Sequence, residues 1–255
     1  MKSSMRQFFN SLVLMVCAFA MQSAYAILNM ELTQGFSGAV PIAIIPFSVE
    51  GSAPSTDISS VITLDLRNSG RFKLVSASRL PTTVGQVEFN VFRKMNVDNV
   101  VVGNIQEVGA GRYKVHFQLV DTSKDKLSTA SSSDAVLLDQ QFTVSGTELR
   151  SLAHHISDLI YQNITGIRGI FSTRLAYIMV RQDPTGIKYS LEVSDQDGYN
   201  PRPLLVSSEP IMSPSWSPNG KEIAYVSFEN KRASIYLEEV ATGKRRIVSR
   251  FPGIN

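Results

Sequence analysis

The stretch SPSWSPNGKEIAYVSF, Ser213 to Phe228, reads as a loop, a tight turn and a strand, a unit too small to fold alone. Asn219-Gly220 within it is a strong hairpin dipeptide, because both residues tolerate the positive φ of a type I′ turn. The pattern has an echo upstream. RLAYIMV (Arg174 to Val180) matches EIAYVSF (Glu222 to Phe228) at a displacement of 48 residues, and Asp197-Gly198 matches Thr242-Gly243 at 45. RPLLV and RRIVS continue the correspondence in the same order. A repeat of this length, built from short strands and glycine turns, is the signature of a propeller blade. A blade buries its faces only against its neighbours, and known rings use about four to eight blades. Only about two fit between residues 171 and 255, so the expectation is an all-β propeller truncated within its ring.

Working back from that repeat, the texture changes to alternating strands and helices. PIAIIPF (Pro41 to Phe47) is a continuous apolar run bounded by prolines, which predicts a strand buried on both faces. Ile58, Val61, Ile62 and Leu66 recur at helical spacing and predict a helix from Asp57 to Asn68, capped by Ser55 or Thr56 and ended by Gly70. RFKLVS and DNVVVGNIQEV read as strands, and Gly109 to Gly111 turns the chain into RYKVHFQLVD as a hairpin. A further strand is expected from Val136 to Val144. Ser145 and Glu148 fit a capping box, followed by a helix with Leu149, Leu152, Ala153, Ile156, Leu159 and Ile160 on one stripe, ending near Gly166. The reading is an α/β domain over residues 40–170 followed by the propeller from 171 to 255.

The first residues carry an address rather than a fold. Lys2 and Arg6 precede an apolar run from Phe8 to Met21, and Ala24-Tyr25-Ala26 places small residues at a cleavage point. That predicts a signal peptide over residues 1–26, an exported chain beginning at Ile27, and an apolar core short for a membrane span. The single cysteine, Cys17, lies in the removed segment, so disulfides and thiolate metal sites are excluded from the mature chain. Without Lys2 and Arg6 the balance is 23 basic residues to 22 acidic ones, which excludes the basic face of a nucleic-acid binder. No later apolar run approaches a transmembrane helix.

Few residues suggest chemistry. His154 and His155 are adjacent on a helix and point about 100° apart, so they do not converge on one metal. The sequence reads them, with His116, as surface or flank histidines. STASSSDA lacks a G-x-S-x-G elbow, and GAGRYK enters a strand where a dinucleotide loop needs a helix. Lys244, Arg245, Arg246 and Arg250 read as a solvated blade edge, Asn163-Ile164-Thr165 as a chance sequon at a helix end, and Trp216 as blade packing. The expectation is no catalytic set, no cofactor and no metal.

One segment has a sharper reading. In residues 27–39, Leu28, Met30 and Leu32 alternate with Asn29, Glu31 and Thr33, giving one apolar edge. Two readings fit: a first strand of the N-terminal sheet, or a mobile strand that adds to a partner's sheet, with Gly35 and Gly38 as its hinge.

Taken together, PIAIIPF, DLRNSGRF, VVVG, QLVDT, TGIRGIFSTRLAYI, LEVSDQDGYN and IMSPSWSPNGKEIAYVSFE run in order through the whole mature chain. In this combination the sequence resembles the TolB family, the periplasmic component of the Tol–Pal system of the Gram-negative cell envelope. The resemblance implies an α/β domain followed by a six-bladed propeller, and a non-enzymatic periplasmic adaptor. It implies that the segment Ile27, Leu28, Asn29, Met30, Glu31, Leu32, Thr33, Gln34 and Gly35 binds the C-terminal domain of TolA. It further implies that the propeller binds the lipoprotein Pal, that other envelope proteins and colicins share that surface, and that the role is outer-membrane integrity and constriction at cell division. The alternative is the propeller of an exported peptidase without its catalytic domain.

Overall fold

The computed structural model describes residues 38–75, 89–123 and 135–250. Its first sheet has the order β3-β1-β4-β5-β6, with β2 also on β4. The strands are β1 (Val40–Ile44), β2 (Ser48–Glu50), β3 (Phe72–Leu74), β4 (Asn99–Glu107), β5 (Arg112–Asp121) and β6 (Val136–Ser145). β1 runs parallel to β3 and β4, and β4, β5 and β6 follow one another antiparallel.

The expected strand from Pro41 to Phe47 forms only as far as Ile44, and a separate short strand begins after Phe47. β1 pairs with β4 through Ile44↔Val101, and β2 resumes on the same strand at Ser48↔Asn104. Pro46 has no N–H to give the ladder, so pairing breaks between them. The break turns Phe47 onto Gly103: a Cβ there would lie 2.5 Å from the Phe47 ring and 2.7 Å from the His116 carbonyl oxygen. Gly103→Ala is therefore expected to overpack this contact and cost about 1–3 kcal/mol, read as a lower urea midpoint at unchanged slope.

Helices cover both faces. On one lie α1 (Ile58–Asn68) and α3 (Leu149–Thr165), whose Ile58, Ile62, Leu66, Leu149, Ala153, Ile156 and Ile160 are buried against Ile42, Val115, Phe117 and Leu119. On the other, α2 (Phe89–Lys94) places Phe92 beside Ala43, Ile45, Val97 and Val100. The cap of α1 is neither Ser55 nor Thr56 but Asp57, whose carboxylate accepts the Ser60 N–H at 3.2 Å. Glu148 reaches back to the Ser145 N–H at 2.9 Å as expected, and this bond holds its carboxyl below the usual range. Gly166 ends α3 at φ 73°, a left-handed conformation that glycine adopts without a Cβ penalty.

After α3 the regular elements among the described residues are all β. The strands β7 (Arg174–Asp183), β8 (Gly186–Asp195) and β9 (Arg202–Ser207) form one antiparallel sheet. A second sheet holds β10 (Ile211–Trp216), β11 (Glu222–Ser227), β12 (Ser234–Glu239) and β13 (Arg245–Ser249) in order. The repeat read from sequence maps β7-β8-β9 onto β11-β12-β13. These sheets share a core of Leu191, Val193, Ile211, Ile223, Tyr225, Tyr236 and Val240.

The Asn219-Gly220 turn departs from type I′. Only Gly220 has positive φ, and its N–H donates to the Ser217 carbonyl at 2.9 Å. Pro218 sits at the second turn position, where its fixed φ near −65° suits types I and II, and Asn219 without positive φ makes it type I with glycine last.

Candidate functional site

Helix α3 places Arg150, His154 and Asp158 at four-residue intervals, on one flank of its apolar stripe. That flank faces Asp65 on α1 and the turn after β8. His154 is 2% exposed and Asp65 1%, and His154 Nδ1 lies 2.8 Å from Asp65 Oδ2. Of the surface or flank reading of His154, the flank placement holds and the surface one is corrected, because α1 and α3 pack directly against each other and bury the pair. His155 is exposed and stands edge-on to Phe142 at 5.7 Å. His116 lies on β5 with Nε2 2.6 Å from Asp139, and hydrogen bonds from Gln118 and His116 hold that carboxyl below its ordinary value.

The other wall is the turn that joins β8 to β9. Gly198 N–H donates to the Asp195 carbonyl at 3.0 Å, and Tyr199 N–H to Asp197 Oδ1 at 3.0 Å, a local Asx bond that fixes the carboxylate. The Arg150 guanidinium bonds Asp197, lies 3.6 Å from Asp195, and stacks over the Tyr199 ring at 3.8 Å. His154 Nε2 points to the same carboxylate at 3.9 Å, beyond hydrogen-bond reach, and has no other partner.

Burial opposes charge on His154, but the bond and charge of Asp65, aided by Asp197, outweigh it and raise the imidazole above its ordinary pKa. Among the described residues, His154, Asp195 and Asp197 form a trio whose ligand atoms lie within 4.8 Å, the spacing a metal ion would need. Arg150 already occupies both carboxylates with positive charge, so a side chain supplies the cation. The arrangement can hold the turn against two helices and sense a proton.

A second link lies one turn further along α3. Asp158 accepts the N–H groups of Phe171 at 2.7 Å and Ser172 at 3.2 Å, together with the Ser172 hydroxyl. Gly169 permits this, since a Cβ there would lie 2.6 Å from Asp158 Cα. Phe171 is buried edge-on against Tyr161 at 5.7 Å. Together the two links fasten the segment after Gly166 and the β8–β9 turn to one helix.

The remaining sequence candidates sit apart. Trp216 is half-buried in the blade core under the Arg174 guanidinium, 4.9 Å from the ring centroid. Arg245 pairs with Glu229 at 2.7 Å, and with Lys221, Glu222, Glu239, Lys244 and Arg246 it lines a cavity of about 410 Å³. These charges are mixed in sign. Asn163 is exposed but lies in the last helical turn of α3. The segment Ile27 to Gly35, expected to bind a partner, and Ala24 and Ala26, expected to mark the cleavage point, lie outside the described residues. Among the described residues, no helix is long and apolar enough to cross a membrane.

Known proteins share this sequence and this architecture. Residues 28–128 match the family described as the TolB amino-terminal domain, and residues 161–255 match the TolB beta propeller domain. The Tol-Pal system protein TolB of Coxiella burnetii is 48% identical over 239 residues, which are 91% of this chain and 53% of that protein. The protein of that name from Nitrosococcus oceani is 41% identical over 248 residues, 96% of this chain and 55% of the relative. The crystal structure of TolB from Acinetobacter baumannii superposes with a TM-score of 0.72 at 36% identity, covering 85% of this chain and 51% of that one. The chain spans about half the length of these relatives.

Proposed function

The chain belongs to the TolB family, and from that premise we propose that it serves as a non-enzymatic adaptor of the Tol–Pal system in the periplasm. In this reading it is exported by cleavage after Ala26, and the strand Ile27 to Gly35 adds to the sheet of the TolA C-terminal domain. The propeller meets Pal, and the link between them supports outer-membrane integrity and constriction at division. The observation that carries the reading is the 48% identity to a Tol-Pal system protein across 91% of the chain. The alternation of Leu28, Met30 and Leu32 supports strand addition, where backbone bonds give affinity and every second side chain gives specificity.

The test is a titration of the TolA C-terminal domain against the exported chain and a deletion of Ile27 to Gly35. The deletion is expected to abolish binding and to leave the circular dichroism of the remainder unchanged. Leu32→Asp is expected to weaken binding strongly, because a charge enters the apolar side of the pairing, whereas Glu31→Gln changes little. Equal affinity of the deletion and the parent removes this strand from the function.

A further inference from the structure

The geometry around His154 points to a use for its protons that the adaptor role does not call on. We propose that His154 is a proton-operated latch: protonated, it bridges Asp65 on α1 and Asp197 in the β8–β9 turn, and deprotonated it keeps only Asp65 and loosens the turn, leaving Asp197 to Arg150.

Three observations carry this. First, both ring nitrogens face carboxylates from different parts of the chain, Asp65 at 2.8 Å and Asp197 at 3.9 Å. Residue 65 and residue 197 are joined through residue 154, so the ring is a link between helices and blade rather than a local pair. Second, Nε2 is buried and has no hydrogen-bond partner, although a carboxylate stands within ion-pair reach. A closure of about 1 Å would bring the two to bonding distance. A neutral ring that gives its proton to Asp65 turns a lone pair toward Asp197, and that contact is repulsive. Third, among the described residues the turn's other side-chain links on this flank run through Gln196 and Arg150, and neither reaches α1 through a short bond. Gln196 reaches Asp65 only at 3.4 Å, and Arg150 grips Asp197 while lying at 3.6 Å from Asp195.

The charged groups that face the ring are therefore Asp65 from α1, Arg150 from its own helix, and Asp195 and Asp197 from the turn. Arg150 opposes its protonation and the carboxylates favour it, and the balance lies above the ordinary imidazole value. The sign follows from that direction. The latch contribution is fully present below about pH 6.5, the value of a free histidine, and is lost as pH rises through the higher value of the closed junction.

The experiment follows the His154 ring and the amides of Gly198 and Tyr199 by NMR in the intact chain across pH 5 to 9. Exchange rates are expressed as protection, corrected for the intrinsic dependence of exchange on pH. His154 is expected to titrate above a free histidine. Protection of Gly198 and Tyr199 is expected to fall across that same titration, by about tenfold for each unit by which closure raises the ring. Asp197→Asn is expected to lower the His154 titration and flatten the protection profile. Two results overturn the latch: a His154 titration at or below the free value, or protection that stays level while His154 loses its proton. Both are read from the unaltered chain, so an unfolded variant leaves the decision intact.

Discussion

Asp65→Leu is expected to destabilise the chain by about 3–5 kcal/mol at pH 5, because it leaves the buried imidazole of His154 without its hydrogen-bonded counter-charge. With Asp65 removed, burial becomes the dominant influence on the ring and opposes its charge. The variant therefore loses stability as pH falls through about 6.5, the direction opposite to the parent. At pH 8 the imidazole escapes by staying neutral, and the gap between the two proteins narrows. Urea unfolding at both pH values checks the size and the crossing slopes. Replacing both residues with leucine is expected to recover most of the loss, since an apolar pair of similar volume fits where an ion pair was buried. If single and double variants are equally unstable, the damage lies in packing rather than charge.

Phe117→Ala is expected to cost a comparable amount, about 3–5 kcal/mol, by another route. Phe117 is fully buried at the centre of β5, belongs to the core under α3, and stacks on Phe142 with ring centroids 6.4 Å apart at 9°. Truncation opens a cavity that the flanking strands and α3 fill only in part. The same urea experiment distinguishes it from Asp65→Leu, because the loss is the same at pH 5 and pH 8. A loss that varies with pH would show that the cavity has disturbed the seat of His154.

The α/β layer and the blade repeat were legible in the sequence because both rest on periodicity. The stripe from Leu149 to Ile160 needs only the chain's own spacing to be recognised, and so does the echo of β7-β8-β9 in β11-β12-β13. Three local readings failed where a neighbouring proline or carboxylate overrode a general preference. Pro46 ended the strand inside an apolar run that looked continuous, and Pro218 moved the turn one residue back from the type I′ placement that Asn219-Gly220 alone favours. Asp57 displaced the expected serine or threonine cap because it stands immediately before the first helical residue.

The junction was not legible, and the reason is distance along the chain. Asp65, His154 and Asp197 meet only after α1 packs on α3 and β8 closes its turn. No spacing rule links positions so far apart. The one signal present was the interval of four between Arg150, His154 and Asp158, a polar line beside an apolar stripe. On its own, such a line on a helix reads as a solvated flank.

The hold of Asp158 on Phe171 and Ser172 bears on how the chain carries load. Its carboxylate receives three bonds from a segment only 13 and 14 residues away, across the left-handed stop at Gly166. A pull on β7 therefore reaches the last turns of α3 through these three bonds rather than through the intervening residues 166–170 alone. Tension on the strand is thus carried into the helix through that single carboxylate.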